Sequence, residues 1–155
     1  MRTRSGPVAL LAVTALLAAP ATARAELRRA EFTLPGMDCA YCNGAMSGAV
    51  KKVDGVESVE LVPDKSTVVI TLKADNKVTL NQLRRIIKSI GYEAKDAGVT
   101  ARGRFTEAGT RFDLLNGTVL HVSSASDRTA GAIVEVTGTV KAGQDTEILT
   151  VASVR

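Results

Sequence analysis

The feature that most constrains this chain is the order in which two hydrophobic periods alternate between Glu31 and Lys95. Glu31-Phe32-Thr33-Leu34 alternates polar and apolar side chains, the period of a half-buried strand, and Pro35-Gly36 end it. Ala45, Met46, Ala49, Val50 and Val53 then recur at helical spacing until Asp54-Gly55. A helix over about 41–53 buries that stripe and leaves Lys51 and Lys52 near its carboxyl end, where cations are favoured. Val56, Val59 and Leu61 lie on a strand-like segment, Pro63-Asp64-Lys65 turns the chain, and Val68 to Leu72 is a β-branched run suited to a sheet. Thr79 is placed to cap a second helix with Gln82 three residues on, as in a capping box. Leu80, Leu83, Ile86, Ile87 and Ile90 form its apolar stripe before Gly91 closes it. Tyr92-Glu93-Ala94-Lys95 is expected as a short last strand. The order βαββαβ predicts an α+β fold over residues 31–96, a ferredoxin-like sandwich of a four-stranded antiparallel sheet with both helices on one face.

Beyond a small-residue join at 97–101 the helical stripes vanish. Short β-rich runs take over at Gly103–Phe105, Phe112–Leu115, Thr118–Val122, Ala132–Val140 and Thr146–Val154. Five short strands predict a second, all-β unit over 102–155, a small OB-like barrel, with 123–131 as an excursion. Val134, Val136 and Val140 share one face of a strand with Gly138, which permits bending. Phe105 and Phe112 are assigned to its core, and His121, the sole histidine, to an isolated polar strand position without ligand partners in sequence. The two units are expected to fold separately.

The amino terminus reads as an export signal. Residues 1–25 carry Arg2 and Arg4, an apolar stretch from Pro7 to about Ala19, then Pro20 and the small-residue pattern Ala23-Arg24-Ala25, which fits cleavage after Ala25. The alternative is retention as an amino-terminal anchor. Residues 26–30 form a short extension before the first unit. The mature chain is therefore expected in the periplasm or outside the cell. The chain's net charge of +4 largely belongs to the signal: residues 26–155 hold 17 basic and 16 acidic groups. A basic footprint for nucleic acid is thus lacking, and no nucleic-acid partner is expected.

Cys39 and Cys42, the only two cysteines, are spaced CxxC between the first strand and the first helix. In an exported chain this spacing allows a metal clip, a redox pair or an inert short disulfide. Helix amides nearby lower thiol pKa and make both side chains better thiolate donors. Two soft thiolates with no histidine beside them favour Cu(I) or Hg(II), which accept few ligands, whereas a closed zinc site normally takes four. Asp38 is either a third, hard oxygen ligand that admits Zn(II) or Cd(II), or a residue capping the helix through backbone amides. Met37 is read as a buried anchor of the loop, with a thioether ligand as the alternative.

Residues 31–96 resemble the heavy-metal-associated domain of copper chaperones, metal-transporting P-type ATPases and periplasmic mercury-binding proteins. The resemblance rests on Gly36-Met37-Asp38-Cys39-Ala40-Tyr41-Cys42, on Asp54-Gly55-Val56, on Pro63-Asp64 before a valine-rich strand, and on Ile90-Gly91-Tyr92. It implies that Cys39 and Cys42 bind the metal and that Tyr92 packs by the metal loop. It also implies that Tyr41 occupies a variable position between the ligands. An aspartate before the first cysteine is similar to zinc- and lead-exporting modules, in which it helps ligate the metal.

These readings together predict a protein that is not an enzyme. It would bind one soft ion per monomer, Cu(I) or Hg(II) in preference to Zn(II), and shuttle it between a donor and an acceptor protein. A membrane metal transporter is a candidate partner, and the apo protein is expected to be monomeric. The rival reading is thiol-disulfide exchange with Cys39 attacking and Cys42 resolving. Gly36-Met37 before the pair and the βαββαβ order stand against a thioredoxin pattern.

Overall fold

The computed structural model describes residues 26–37, 40–114, 116–124, 131–142 and 146–155. Its elements run β1 (Leu27–Thr33), α1 (Ala40–Lys51), β2 (Val56–Val62), β3 (Thr67–Leu72), α2 (Leu80–Ser89), β4 (Ala97–Thr106), β5 (Arg111–Asp113), β6 (Val119–Val122), β7 (Ile133–Ala142) and β8 (Glu147–Val154). The first six build the expected ferredoxin-like unit, with sheet order β2-β3-β1-β4 and every pairing antiparallel. Phe32, Val68, Ile70 and Leu72 point from the sheet towards Met46 and Val50 of α1 and Leu80, Leu83 and Ile87 of α2, all in one core.

The second helix ends as its sequence predicts. The Thr79 hydroxyl accepts the Gln82 N–H at 3.2 Å. At the other end Gly91 (φ +100°) donates to the Lys88 carbonyl and Tyr92 to the Ile87 carbonyl. That pair of bonds is the Schellman arrangement, which a residue at positive φ makes possible.

The fourth strand is not at 92–95. The Tyr92 N–H is already committed to ending α2, and the strand begins at Ala97, covering the 97–101 stretch expected as a join. Ala97, Val99 and Ala101 are buried and face Phe32, Ala30 and Leu27 across β1. Their smallness, which reads as linker composition, lets the strand lie beneath the helices with β7 paired at its other edge. The first strand also starts earlier than expected, at Leu27. A register shift between Leu27 and Arg29 breaks the alternation, so 26–30 has no strand period in sequence.

On its other edge β4 pairs with β7 from Ala97 to Arg104. Its carboxyl half also pairs with β5, and the circuit β4-β5-β6-β8-β7 returns to β4. The result is a small closed five-stranded barrel, antiparallel except between β6 and β8. Phe105 and Phe112 pack inside it with tilted rings, their centroids 5.0 Å apart, beside Leu120, Val136, Val140 and Leu149. Closure requires glycine at two crowded positions. A Cβ on Gly138 would stand 2.3 Å from the Thr150 carbonyl oxygen, and one on Gly103 would stand 2.7 Å from the Phe112 ring.

One strand therefore belongs to both units, and their interiors form a single core. Side chains reinforce the join: Arg84 of α2 pairs with Glu147 of β8, both only 11% exposed, and Asn116 donates to the Val78 carbonyl at 3.2 Å. β4 thus runs through the 97–101 boundary expected between the two units, which share its inward face.

Candidate metal centre

Three chain reversals meet at one end of the ferredoxin-like unit. After β1, Leu34 is fully buried and its N–H donates to the Ser66 carbonyl at 2.6 Å, tying the loop after β1 to the turn between β2 and β3. Ser66 itself is left-handed (φ 48°), closing the 3-10 turn Pro63–Lys65. Pro35 and Gly36 then turn the chain back, and the Met37 N–H returns to the Leu34 carbonyl at 3.2 Å. Gly36 sits at φ +83° with open space where a Cβ would be, so the requirement for glycine is conformational and not steric. Met37 is fully buried in the core and fixes the loop from beneath, as the anchor reading predicts.

Helix α1 starts at Ala40, so the CxxC pair spans the junction between this pinned loop and the first helical turn. Asp38 and Cys39 lie outside the described residues, and for Tyr41 and Cys42 only the helix backbone is described. The junction is the place where backbone N–H groups of a first helical turn lack intrahelical partners and favour negative charge. Among the described residues, no group of three or more His, Cys, Asp or Glu is placed to hold a metal ion.

The third reversal is Gly91-Tyr92. Tyr92 is half-buried against the core, and it lines an open cleft of about 740 Å³ together with Pro35 of the loop. Thr139 of β7 lines the same cleft, so the barrel contributes a wall beside the loop. Neither Thr139 nor the Ser66 carbonyl was accessible to sequence reasoning. Both reach the loop through strand pairings that carry no local signal. His121 stands exposed on β6 and lines a separate cleft with Thr79, Asn81, Thr118, Thr146 and Glu147.

A βαββαβ unit with a glycine-turned, methionine-anchored CxxC loop at one end defines a small metal-handling module. The model of the heavy-metal-associated domain matches residues 31–93. The chain is 35% identical over 64 residues to the copper chaperone CopZ of Staphylococcus haemolyticus, covering 41% of this chain and 93% of the chaperone. It is 34% identical over 83 residues to the periplasmic component of the mercuric transport protein of Shigella flexneri, covering 54% of this chain and 90% of that protein. The crystal structure of oxidized MerP from Ralstonia metallidurans CH34 aligns with 26% identity and a TM-score of 0.40, over 47% of this chain and 96% of that one. The chain belongs to the heavy-metal-associated domain family.

Proposed function

We propose that this protein is an exported carrier of one soft metal ion per monomer, Cu(I) or Hg(II), held by the thiolates of Cys39 and Cys42. The observation that carries the reading is the loop itself: Gly36 and Met37 fix its first half, and α1 begins one residue after Cys39. The loop that carries the pair is backed by core at the buried Met37, while its Pro35 and Gly36 are exposed. That arrangement suits stepwise thiolate exchange with a donor and an acceptor protein, including a membrane metal transporter, better than it suits permanent storage. The signal-like residues 1–25 and the similarity to a periplasmic transport component support a periplasmic or extracellular place of action.

Asp38 decides the finer question of metal class. As a helix cap it leaves a two-thiolate site for Cu(I) or Hg(II); as a ligand it admits Zn(II) or Cd(II). Asparagine in its place preserves size and can still accept an amide hydrogen bond, but it removes the charged donor. Parallel competition titrations of reduced native and Asp38→Asn protein are expected to show Cu(I) and Zn(II) affinities that scarcely move. A selective collapse of Zn(II) affinity with Cu(I) unchanged would assign the protein to divalent metals.

A further inference from the structure

Neither helix carries a carboxylate. α1 holds Lys51 and α2 holds Arg84, Arg85 and Lys88, with no Asp or Glu in either, although residues 26–155 as a whole are balanced at 17 basic and 16 acidic groups. The α2 cations border an open cleft of about 350 Å³ between the helix and the segment 93–95, which belongs to no strand and supplies Lys95 and the half-buried Ala94 as the opposite wall. A cleft of this volume falls within the roughly 300–1,000 Å³ typical of small-ligand sites.

The cations that border the cleft have little to do inside the fold. Basic side chains late in a helix commonly serve its last carbonyls. In α2 those carbonyls already have partners: Ile86 accepts the Ser89 hydroxyl at 2.7 Å, Ile87 accepts the N–H groups of Ile90 and Tyr92, and Lys88 accepts that of Gly91. Arg84 is committed, since its terminal nitrogens donate to Glu147 and to the Val140 carbonyl and its side chain is only 11% exposed. Arg85 and Lys88 are exposed, three residues apart on one helix face, and make no ion pair among the described residues. Lys95 lies 3.8 Å from Glu93, but both side chains are exposed, so solvent and salt screen that pair and a competing anion opens it.

We infer that this cleft binds a phosphate group. One guanidinium and two ammonium groups on two facing walls suit a tetrahedral oxyanion, whose oxygens accept from several directions at once; a carboxylate is satisfied by a single guanidinium fork. Glu93 stands at the same rim and opposes the anion. Free phosphate and the headgroup of an anionic phospholipid present the same chemistry to the cleft. Glu93 and Lys95 also line the larger cleft that includes Pro35, so an occupant here lies next to the loop of the candidate metal centre.

Residues 26–155, which hold every described element, are titrated with inorganic phosphate at pH 7 and constant ionic strength, with NaCl making up the balance, and followed by two-dimensional ¹H–¹⁵N NMR. Saturable shifts concentrated in residues 81–95 are expected. Arg85→Gln with Lys88→Gln should weaken phosphate binding at least tenfold, and Glu93→Gln should tighten it at least twofold. Lys51→Gln with Lys52→Gln removes the same charge away from the cleft and should change the affinity less than twofold. If the Arg85 and Lys88 variant melts below the parent, Lys95→Gln, outside any helix, carries the test, with at least a threefold loss expected. Sedimentation with vesicles of phosphatidylglycerol and phosphatidylcholine, against phosphatidylcholine alone, separates the two sources. Vesicle binding that the Arg85 and Lys88 variant loses assigns the phosphate to a lipid headgroup, and vesicle binding that is absent or unchanged by the variant assigns it to a soluble ligand. Shifts that do not saturate, shifts centred outside 81–95, smaller losses than these at the cleft, or an equal loss in the Lys51 and Lys52 variant would overturn the inference.

Discussion

Cutting the chain after Ala97 tests whether β4 belongs to the metal-binding unit. Such a fragment, residues 26–97, keeps both helices and the CxxC loop but loses the pairings of Gly98 with Glu31, Val99 with Ala30, Thr100 with Arg29 and Ala101 with Leu27. Burial of Val99 contributes about 1.5–3 kcal/mol and that of Ala101 about 1 kcal/mol. About four main-chain hydrogen bonds add roughly 0.5–1.5 kcal/mol each. The sum, roughly 4–10 kcal/mol, matches the entire stability of a domain of this length at about 0.05–0.15 kcal/mol per residue. Residues 26–97 are therefore expected to lack a cooperative transition in far-UV circular dichroism. Residues 26–106, which retain β4, should regain helical signal, and the full mature chain should melt in one step. A cooperative melt of 26–97, with a midpoint within about 5 °C of that of 26–106, would refute the argument, since that margin corresponds to only about 1 kcal/mol.

Two further outcomes follow from the join between the units. Arg84→Ala strands the carboxylate of Glu147 at 11% exposure and should cost about 3–5 kcal/mol, while Arg84→Met with Glu147→Leu should recover most of it; urea unfolding of the parent, the single variant and the double variant measures both. Gly138→Ala places a Cβ 2.3 Å from the Thr150 carbonyl oxygen, forcing β8 away from β7 at a cost of about 1–3 kcal/mol. Its thermal midpoint should fall by several degrees, and an unchanged midpoint would show that the barrel yields at this point.

The parts of the fold legible in sequence are those where period and end signals agree. α2 carries an unbroken apolar stripe, a capping threonine and a closing glycine, and all three act as read. The first half of β4 was illegible because its inward residues Ala97, Val99 and Ala101 are small and alternate with Gly98 and Thr100, a composition shared with linkers; their size makes sense only with helices above and β7 alongside. Closure of the barrel depends on pairing Ala97 with Val140, which no local pattern encodes. At the candidate site, Gly36 and Met37 were legible because one demands a positive φ and the other fills a gap beneath the loop. The Ser66 carbonyl that holds Leu34 comes from the β2–β3 turn, and Thr139 in the same cleft as Pro35 comes from β7, through contacts that no sequence spacing marks.

The central claim is that Cys39 and Cys42 together hold the cargo ion. Its most direct measurement is titration of reduced, anaerobically prepared residues 26–155 with Cu(I) and with Hg(II) against a competing chelator, alongside Cys39→Ser, Cys42→Ser and the double variant. One ion is expected per native monomer, with greatly weakened binding in each single variant and none that competes with the chelator in the double variant, because a serine hydroxyl cannot replace a thiolate at neutral pH. Undiminished binding by a folded double variant would contradict it.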